Sequence, residues 1–313
     1  MYKEQLTVSS KDHHQLAVSV YEPKTTTKGH IHILHGMAEH HDRYVPFAEF
    51  LTNAGFLVSM HDHRGHGRTA KLNQATKGFF SEENGFDIVV EDTKIVTELV
   101  RQNRKLPPMI LFGHSMGSFI ARRYTELYSD ELEKVIYCGT GAAGIEHYAG
   151  VNLAKCLSII RGKTEESRIM NKLSFGNFNK AIKNPATNFD WLCTDAKEVE
   201  KYIADENCGF ISTNQFYVDF LQGIITLSKK HEVCRIRKDL PILFISGSDD
   251  PVGSFTKGIW RVAKQLQKCG LHDVTVQLFD GMRHEILNES KKEQVFQTIL
   301  EWLEKKECYY NKN

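Results

Sequence analysis

An excess of charge of either sign is missing from this 313-residue sequence: 40 Lys and Arg stand against 39 Asp and Glu, a formal net charge of +1 at pH 7. That balance argues against a nucleic-acid partner or a strongly anionic one. Long apolar runs are missing too. No segment approaches the roughly 18 apolar residues of a membrane span, and the opening MYKEQLTVSSKDHH has no signal-peptide core. Any membrane contact is therefore expected to be transient and confined to the surface. Cysteine is sparse and unpatterned, with seven residues (138, 156, 193, 208, 234, 269 and 308) and no Cys-x-x-Cys pair. They are expected as reduced, mostly buried thiols of a cytoplasmic protein, outside any catalytic or metal context.

What is present is alternation. Residues 16–23 (LAVSVYEP) read as one strand of an N-terminal antiparallel pair. Residues 30–36, 56–63, 109–115, 134–140, 242–248 and 274–280 read as buried strands. Between them lie helices with one apolar face, such as 43–54, which stops at Gly55, 86–104, and a tail helix carrying Val295, Phe296, Ile299, Leu300 and Leu303. Alternation of this kind predicts an α/β fold with a mainly parallel sheet covered by helices on both faces. It breaks between about Ala142 and Val233, where helical patterns gather Phe175, Phe178, Phe189, Trp191, Phe210, Phe216, Tyr217 and Phe220. The expected organisation is a core of residues 1–141 and 234–313 interrupted by a helical lid, 142–233. About half of those aromatics are expected to form the lid's own core. The face of Phe216, Phe220, Ile224 and Leu227 is expected to wall a tunnel over the site.

One strand ends in Gly113-His114-Ser115-Met116-Gly117 and a helical pattern follows at once. G-x-S-x-G between strand and helix makes a strained turn that lifts the serine hydroxyl above the sheet, and side chains at 113 and 117 would clash there. Ser115 is accordingly the expected nucleophile. A serine hydroxyl needs a histidine base oriented by a carboxylate, in the chain order Ser, acid, His for this architecture. FDGMRHEIL supplies His284 as the base; His272 precedes the last strand and belongs at the opposite edge, and His231 lies in the insertion. Asp280 leaves the same strand as His284 and is expected to support the turn at Gly281. Position alone leaves Asp249 and Asp250 equal as the acid. The oxyanion hole is expected from the backbone N–H groups of Met37, after His35-Gly36, and of Met116.

HGMAEHHDRY, HDHRGHGRT, GHSMGS, SGSDDPVG and GMRHEILNE resemble the motifs of the α/β-hydrolase group that contains monoacylglycerol lipases and bacterial lysophospholipase-like proteins. The similarity spans nearly the whole chain, and the insertion matches the lid of that group. The resemblance implies Asp250 as the acid and an α/β-hydrolase acting on carboxylic esters of single-chain lipids through an acyl-enzyme on Ser115. A small-molecule carboxylesterase and a serine aminopeptidase on the same fold are the alternatives. The second would need lid carboxylates for a substrate ammonium, for which Glu198, Glu200, Asp205 and Glu206 are placed.

His35, His40, His41, His61, His63 and His66 crowd two loops. Binuclear metallohydrolases use an H-x-H-x-D-H order, whereas this chain reads His61-Asp62-His63-Arg64-Gly65-His66. Loop hydrogen bonds, with no metal and no cofactor, are the expectation. Cys138 is expected as a small core residue.

Overall fold

The computed structural model describes residues 2–102 and 104–305. Eight strands form a single sheet: β1 (Tyr2–Ser9), β2 (Gln15–Glu22), β3 (His30–Leu34), β4 (Leu57–His61), β5 (Met109–His114), β6 (Leu132–Cys138), β7 (Ile242–Gly247) and β8 (Val274–Phe279). Their spatial order is β1-β2-β4-β3-β5-β6-β7-β8. β2 pairs antiparallel with β1 and β4, and every other pair is parallel. β3, β4, β5 and β7 are buried at every position. Near-continuous apolar runs, as in β5 and β7, suit a sheet covered on both faces; in β3 and β4 the buried polar side chains His30, His32 and Ser59 bond to one another instead.

The helices are α1 (Val45–Asn53), α2 (Gly67–Leu72), α3 (Gly85–Arg101), α4 (Met116–Tyr128), α5 (Ile145–Arg161), α6 (Arg168–Phe175), α7 (Ala196–Ala204), α8 (Asn214–Thr226), α9 (Lys230–Val233), α10 (Lys257–Lys268) and α11 (Lys292–Glu304). On one sheet face Phe47 and Leu51 of α1 and Phe296 and Ile299 of α11 pack with Phe112 and Ile136. On the other, Val89, Ile120, Tyr124 and Leu266 of α3, α4 and α10 pack with Leu111, Val135 and Phe244. The α1 pattern ends at Gly55, which takes φ +100°. None of the helices among the described residues is long and apolar enough to cross a membrane.

Between β6 and β7 the chain forms α5 to α9, with a single isolated bridge, Glu166 to Thr213, as its only β pairing among the described residues. One part of this insertion departs from expectation. Phe216, Phe220 and Ile224 of α8, with Leu227 just after it, do not wall the cavity over Ser115; they pack into the main core with Phe86 and Phe119. Gly223 permits this approach, because a Cβ there would lie 2.4 Å from the Phe86 ring. An apolar helical face has the same pattern whichever surface it meets, so periodicity could not tell core from tunnel.

A second correction concerns cysteine. Cys234, after α9, and Cys269, after α10, form a disulfide. The two are 35 residues apart, and only the packing of α9 beside α10 brings them together, so no spacing pattern announced them. Closing a loop of that length contributes about 4 kcal/mol in the chain-entropy picture. Cytoplasmic placement accordingly loses the support it drew from wholly reduced thiols. Cys138, Cys193 and Cys208 are buried thiols and Cys156 is exposed; Cys308 lies outside the described residues.

Candidate active site

Parallel strands send their C-terminal ends to one edge of the sheet, where the following loops form a crevice. The loop after β3, the β5–α4 turn, and the loops after β6, β7 and β8 meet there. At the centre stands Ser115, with φ +51° and ψ −121°. A non-glycine residue in that region costs about 1–3 kcal/mol and persists only where its surroundings enforce it. The enforcement is visible: the Ser115 N–H donates to Cys138 O at 2.9 Å. A Cβ at Gly113 would lie 2.2 Å from Gly117 O, and one at Gly117 would lie 2.2 Å from Leu34 O. Both glycines are therefore required by close backbone approach, as the pentapeptide predicts.

His284 and Asp250 come together as expected. His284 Nδ1 donates to Asp250 Oδ2 at 2.9 Å, and both side chains are buried. Asp250 also accepts from Val252 N–H at 2.8 Å and Ser246 Oγ at 3.1 Å. Burial alone would raise its pKa, but the His284 contact and these donors outweigh that and hold the carboxyl below its ordinary range. Asp249 is exposed, and Ser248 Oγ donates to it. Asp280 is exposed too, and stands by the turn where Gly281 N–H donates to Ser248 Oγ. Between the two equal positions the geometry favours Asp250. His284 Nε2 is buried without a hydrogen-bond partner among the described residues, and its ring lines the same cavity as Ser115. His272 is exposed at the far end of β8, and His231 is exposed in α9.

The loop after β3 runs beside the serine: a Cβ at Gly36 would lie 3.1 Å from Ser115 Cβ. Gly36 N–H donates to Glu39 Oε1 at 2.5 Å and Ala38 N–H to His66 Nε2 at 3.3 Å. The Met37 N–H between them, and the Met116 N–H at the start of α4, donate to no described residue. Cys138 packs in the core, where burial pushes its thiol pKa well up. Several loop histidines make structural bonds, as His41 does to Asp62 at 2.7 Å and His66 to Arg64 O at 2.8 Å, whereas neither ring nitrogen of buried His63 has a partner among the described residues.

Sequence reasoning missed a buried network behind this centre. Arg43 Nη1 and Nη2 donate to Glu285 Oε1 and Oε2 at 2.6 Å each, and Nη1 also reaches Glu39 Oε2 at 2.6 Å. Tyr44 Oη donates to Glu39 Oε1 at 2.7 Å and meets His114 Nδ1 at 2.7 Å. His114 Nε2 lies 3.3 Å from His284 O. The loop before α1, the serine turn and the histidine loop are thus tied by charged groups. The signal was present inside HGMAEHHDRY, GHSMGS and GMRHEILNE, but it needs the fold to pair its members. Gly139 was missed as well. At φ +60° it passes so close that a Cβ would lie 2.9 Å from His284 Cε1.

This network has a pH signature. Burial disfavours the Glu39 carboxylate, yet Arg43 and His114 lower its pKa well below 4.5. Burial also disfavours a charged His114, yet Glu39 raises its pKa above 6.5. The lowered carboxyl stabilises the fold above its unfolded pKa and loses this as pH falls through the folded one. The raised imidazole stabilises below its unfolded pKa and loses this as pH rises through the folded one. Both contributions are complete between about pH 4.5 and 6.5. Glu39→Gln is expected to cost about 3–5 kcal/mol in that window and less at pH 9. Thermal unfolding at pH 5.5 and 9 checks this; an equal cost at both would show that His114 is not held charged by Glu39.

The cavity above Ser115 has a volume of about 420 Å³ and is walled by Phe175, Phe189, Trp191, Leu192, Tyr202 and Phe210. The insertion also grips the histidine loop. Glu285 N–H donates to Leu192 O at 2.7 Å, Arg283 Nη1 to Asp190 O at 2.7 Å, and the Trp191 ring lies 5.2 Å from the His284 ring.

A family model described as serine aminopeptidase, S33 (Hydrolase_4) matches residues 25–291. The monoacylglycerol lipase of Mycolicibacterium smegmatis is 25% identical over 292 residues, covering 92% of each chain. Human monoglyceride lipase is 24% identical over 295 residues, covering 90% of this chain and 84% of that one. Among solved structures, a thermostable carboxyl esterase from Bacillus coagulans superposes with a TM-score of 0.90 at 26% identity, over 97% of this chain and 98% of that one. Since the family model spans residues 25–291 and the similarity runs over most of each relative, the chain belongs to the Hydrolase_4 family and is an α/β-hydrolase of the monoacylglycerol lipase-like group.

Proposed function

We propose that the protein hydrolyses carboxylic esters of single-chain lipids through an acyl-enzyme on Ser115. One observation carries this reading. Ser115, on its strained turn, shares an aromatic-walled cavity with His284, whose Nδ1 is held by Asp250 and whose Nε2 is left unpaired. His284 Nε2 takes the Ser115 proton as Oγ attacks the ester carbonyl, and the Asp250 carboxylate stabilises the imidazolium. The Met37 and Met116 amides receive the oxyanion. His284 then gives its proton to the departing alcohol. A water, deprotonated in turn by His284, attacks the acyl-enzyme and frees the acid.

The relatives named monoacylglycerol lipase and monoglyceride lipase support a glycerol ester carrying one acyl chain, and a lysophospholipid offers the same chain to the cavity. Triacylglycerol and peptides are the disfavoured substrates. The insertion, taken as residues 142–233, acts as the lid over a core of 1–141 and 234–313. Exposed Ile145, Ile159, Ile160 and Leu173 on α5 and α6 suit a transient meeting with a lipid surface, and the near-zero net charge suits weak docking there. Among the described residues that line the cavity, no carboxylate is left free for the substrate ammonium that the aminopeptidase alternative needs. Glu198, Glu200, Asp205 and Glu206 do not line the cavity. The two carboxylates that do, Glu39 and Glu285, are both bound by Arg43.

Each methylene buried in the cavity contributes about 0.8 kcal/mol. kcat/KM for p-nitrophenyl esters should then rise about fourfold per added CH₂ until the cavity fills, and Phe175→Ala and Phe210→Ala should flatten the rise. Rates independent of length from acetyl to dodecanoyl would favour a small-molecule esterase. Faster cleavage of aminoacyl p-nitroanilides than of any ester would favour the aminopeptidase.

A further inference from the structure

Away from the reacting groups, His40 Nε2, an Asp205 carboxylate oxygen and Cys208 Sγ lie within 4.8 Å of one another. They are the one group of three or more potential ligands found among the described residues. We infer that His40, Asp205 and Cys208 form a Zn²⁺ site that fastens the loop after β3 to the segment after α7.

The ligand set is the kind zinc takes: one imidazole, one carboxylate and one thiolate, leaving a fourth tetrahedral position for water. Bonds of about 2.0–2.3 Å place tetrahedral ligands about 3.3–3.8 Å apart. The His40 Nε2–Asp205 Oδ2 contact of 2.8 Å opens by about half an ångström and the thiol edges close by up to about 1.3 Å. The charges match, since one carboxylate and one thiolate balance the dication. Arg43, the nearby cation, is already neutralised by Glu39 and Glu285.

The backbone holds the three residues ready. Gly209 N–H donates to Ala38 O at 2.9 Å, and Tyr202 Oη donates to the same oxygen at 3.0 Å. Cys208 N–H donates to Asp205 O at 3.0 Å. Asp205 Oδ1 accepts Asn207 N–H at 2.8 Å, the type of outer contact that orients a metal-binding carboxylate. Binding breaks the Cys208 S–H bond, forms S–Zn and releases the proton to solvent; zinc stays divalent throughout. His40 follows Glu39, while Gly209 and Phe210 follow Cys208, and Glu39, Gly209 and Phe210 line the cavity. The metal therefore clasps two sides of the cavity rim without touching Ser115, His284 or Asp250.

No spacing pattern marks this site, because His40 and Asp205 come from segments 165 residues apart. The expectation that no cysteine has a metal context is the one this inference revises.

The test is equilibrium dialysis of the full chain against Zn²⁺ and absorption spectroscopy with Co²⁺, neither of which reads ester turnover. The expected result is one Zn²⁺ per chain and a near-ultraviolet thiolate-to-cobalt band. Cys208→Ser should remove the band, and His40→Ala should weaken binding by at least tenfold. The thermal midpoint of the parent should rise by about 5 °C at a hundredfold excess of Zn²⁺ over its Kd. Should Cys208→Ser unfold, Asp205→Asn takes its place, with retention of the band and at least tenfold weaker binding expected. Equal binding by parent and variants, a cobalt spectrum without the band, or no binding at all would overturn the inference and leave His40–Asp205 an ordinary hydrogen-bonded pair. The ester reading would stand in each of these cases.

Discussion

Ser115→Ala is expected to lower kcat for a p-nitrophenyl ester by about 10⁶-fold, with the fold and thermal midpoint nearly unchanged. Members of a nucleophile–base–acid unit act together, so losing the nucleophile removes almost all that the unit supplies. What survives is the catalysis of the oxyanion donors and of binding, about 10³–10⁴-fold over water. Stability should hold because alanine keeps the cavity shape and the backbone of residue 115 keeps its strained conformation in either case. Burst kinetics should disappear with turnover. A variant retaining more than about 1% of parent activity would show that another residue attacks the ester.

Asp250→Asn is expected to lower kcat by up to about 10⁴-fold. The carboxylate fixes the His284 tautomer with Nδ1 protonated and Nε2 free to accept, and it stabilises the imidazolium that forms. An asparagine turned to donate to Nδ1 would leave the proton on Nε2, where the Ser115 proton must go. Asp250 is fully buried, whereas Asp249 and Asp280 are exposed and bonded to Ser248. Asp249→Asn and Asp280→Asn should therefore change kcat by less than about tenfold, since exposed changes of this kind cost little. Steady-state kinetics of the three variants separates the positions. A crippled Asp249→Asn beside a mild Asp250→Asn would move the acid by one residue.

The layout of this site was legible from the chain because it depends on local rules. Gly113 and Gly117 are required by backbone contacts within two crossings, and the order of Ser115, Asp250 and His284 follows the order of strands. The central strands were legible because burial on both faces concentrates apolar residues in short runs, as in β5 and β7, even where β3 alternates His30 and His32 with Ile31 and Ile33. What escaped depends on pairs that only tertiary structure makes. Arg43 meets Glu285 across 242 residues, Cys234 meets Cys269 across two helix ends, and Gly139 presses on His284 from the loop after β6. The α8 face failed for a different reason: amphipathic periodicity reports that a face is buried, never against what. The choice between Asp249 and Asp250 sits between these cases. Adjacent carboxylates after one strand are equivalent to any pattern, and the turn that buries one and exposes the other is a property of the folded loop.

The most direct measurement is peptide mapping of the protein after reaction with a fluorophosphonate. The expected result is one adduct per chain, on the peptide containing Ser115, formed at least 10³-fold more slowly in His284→Ala because the base is gone. An adduct on another serine, or none while ester hydrolysis continues, would contradict an acyl-enzyme at Ser115.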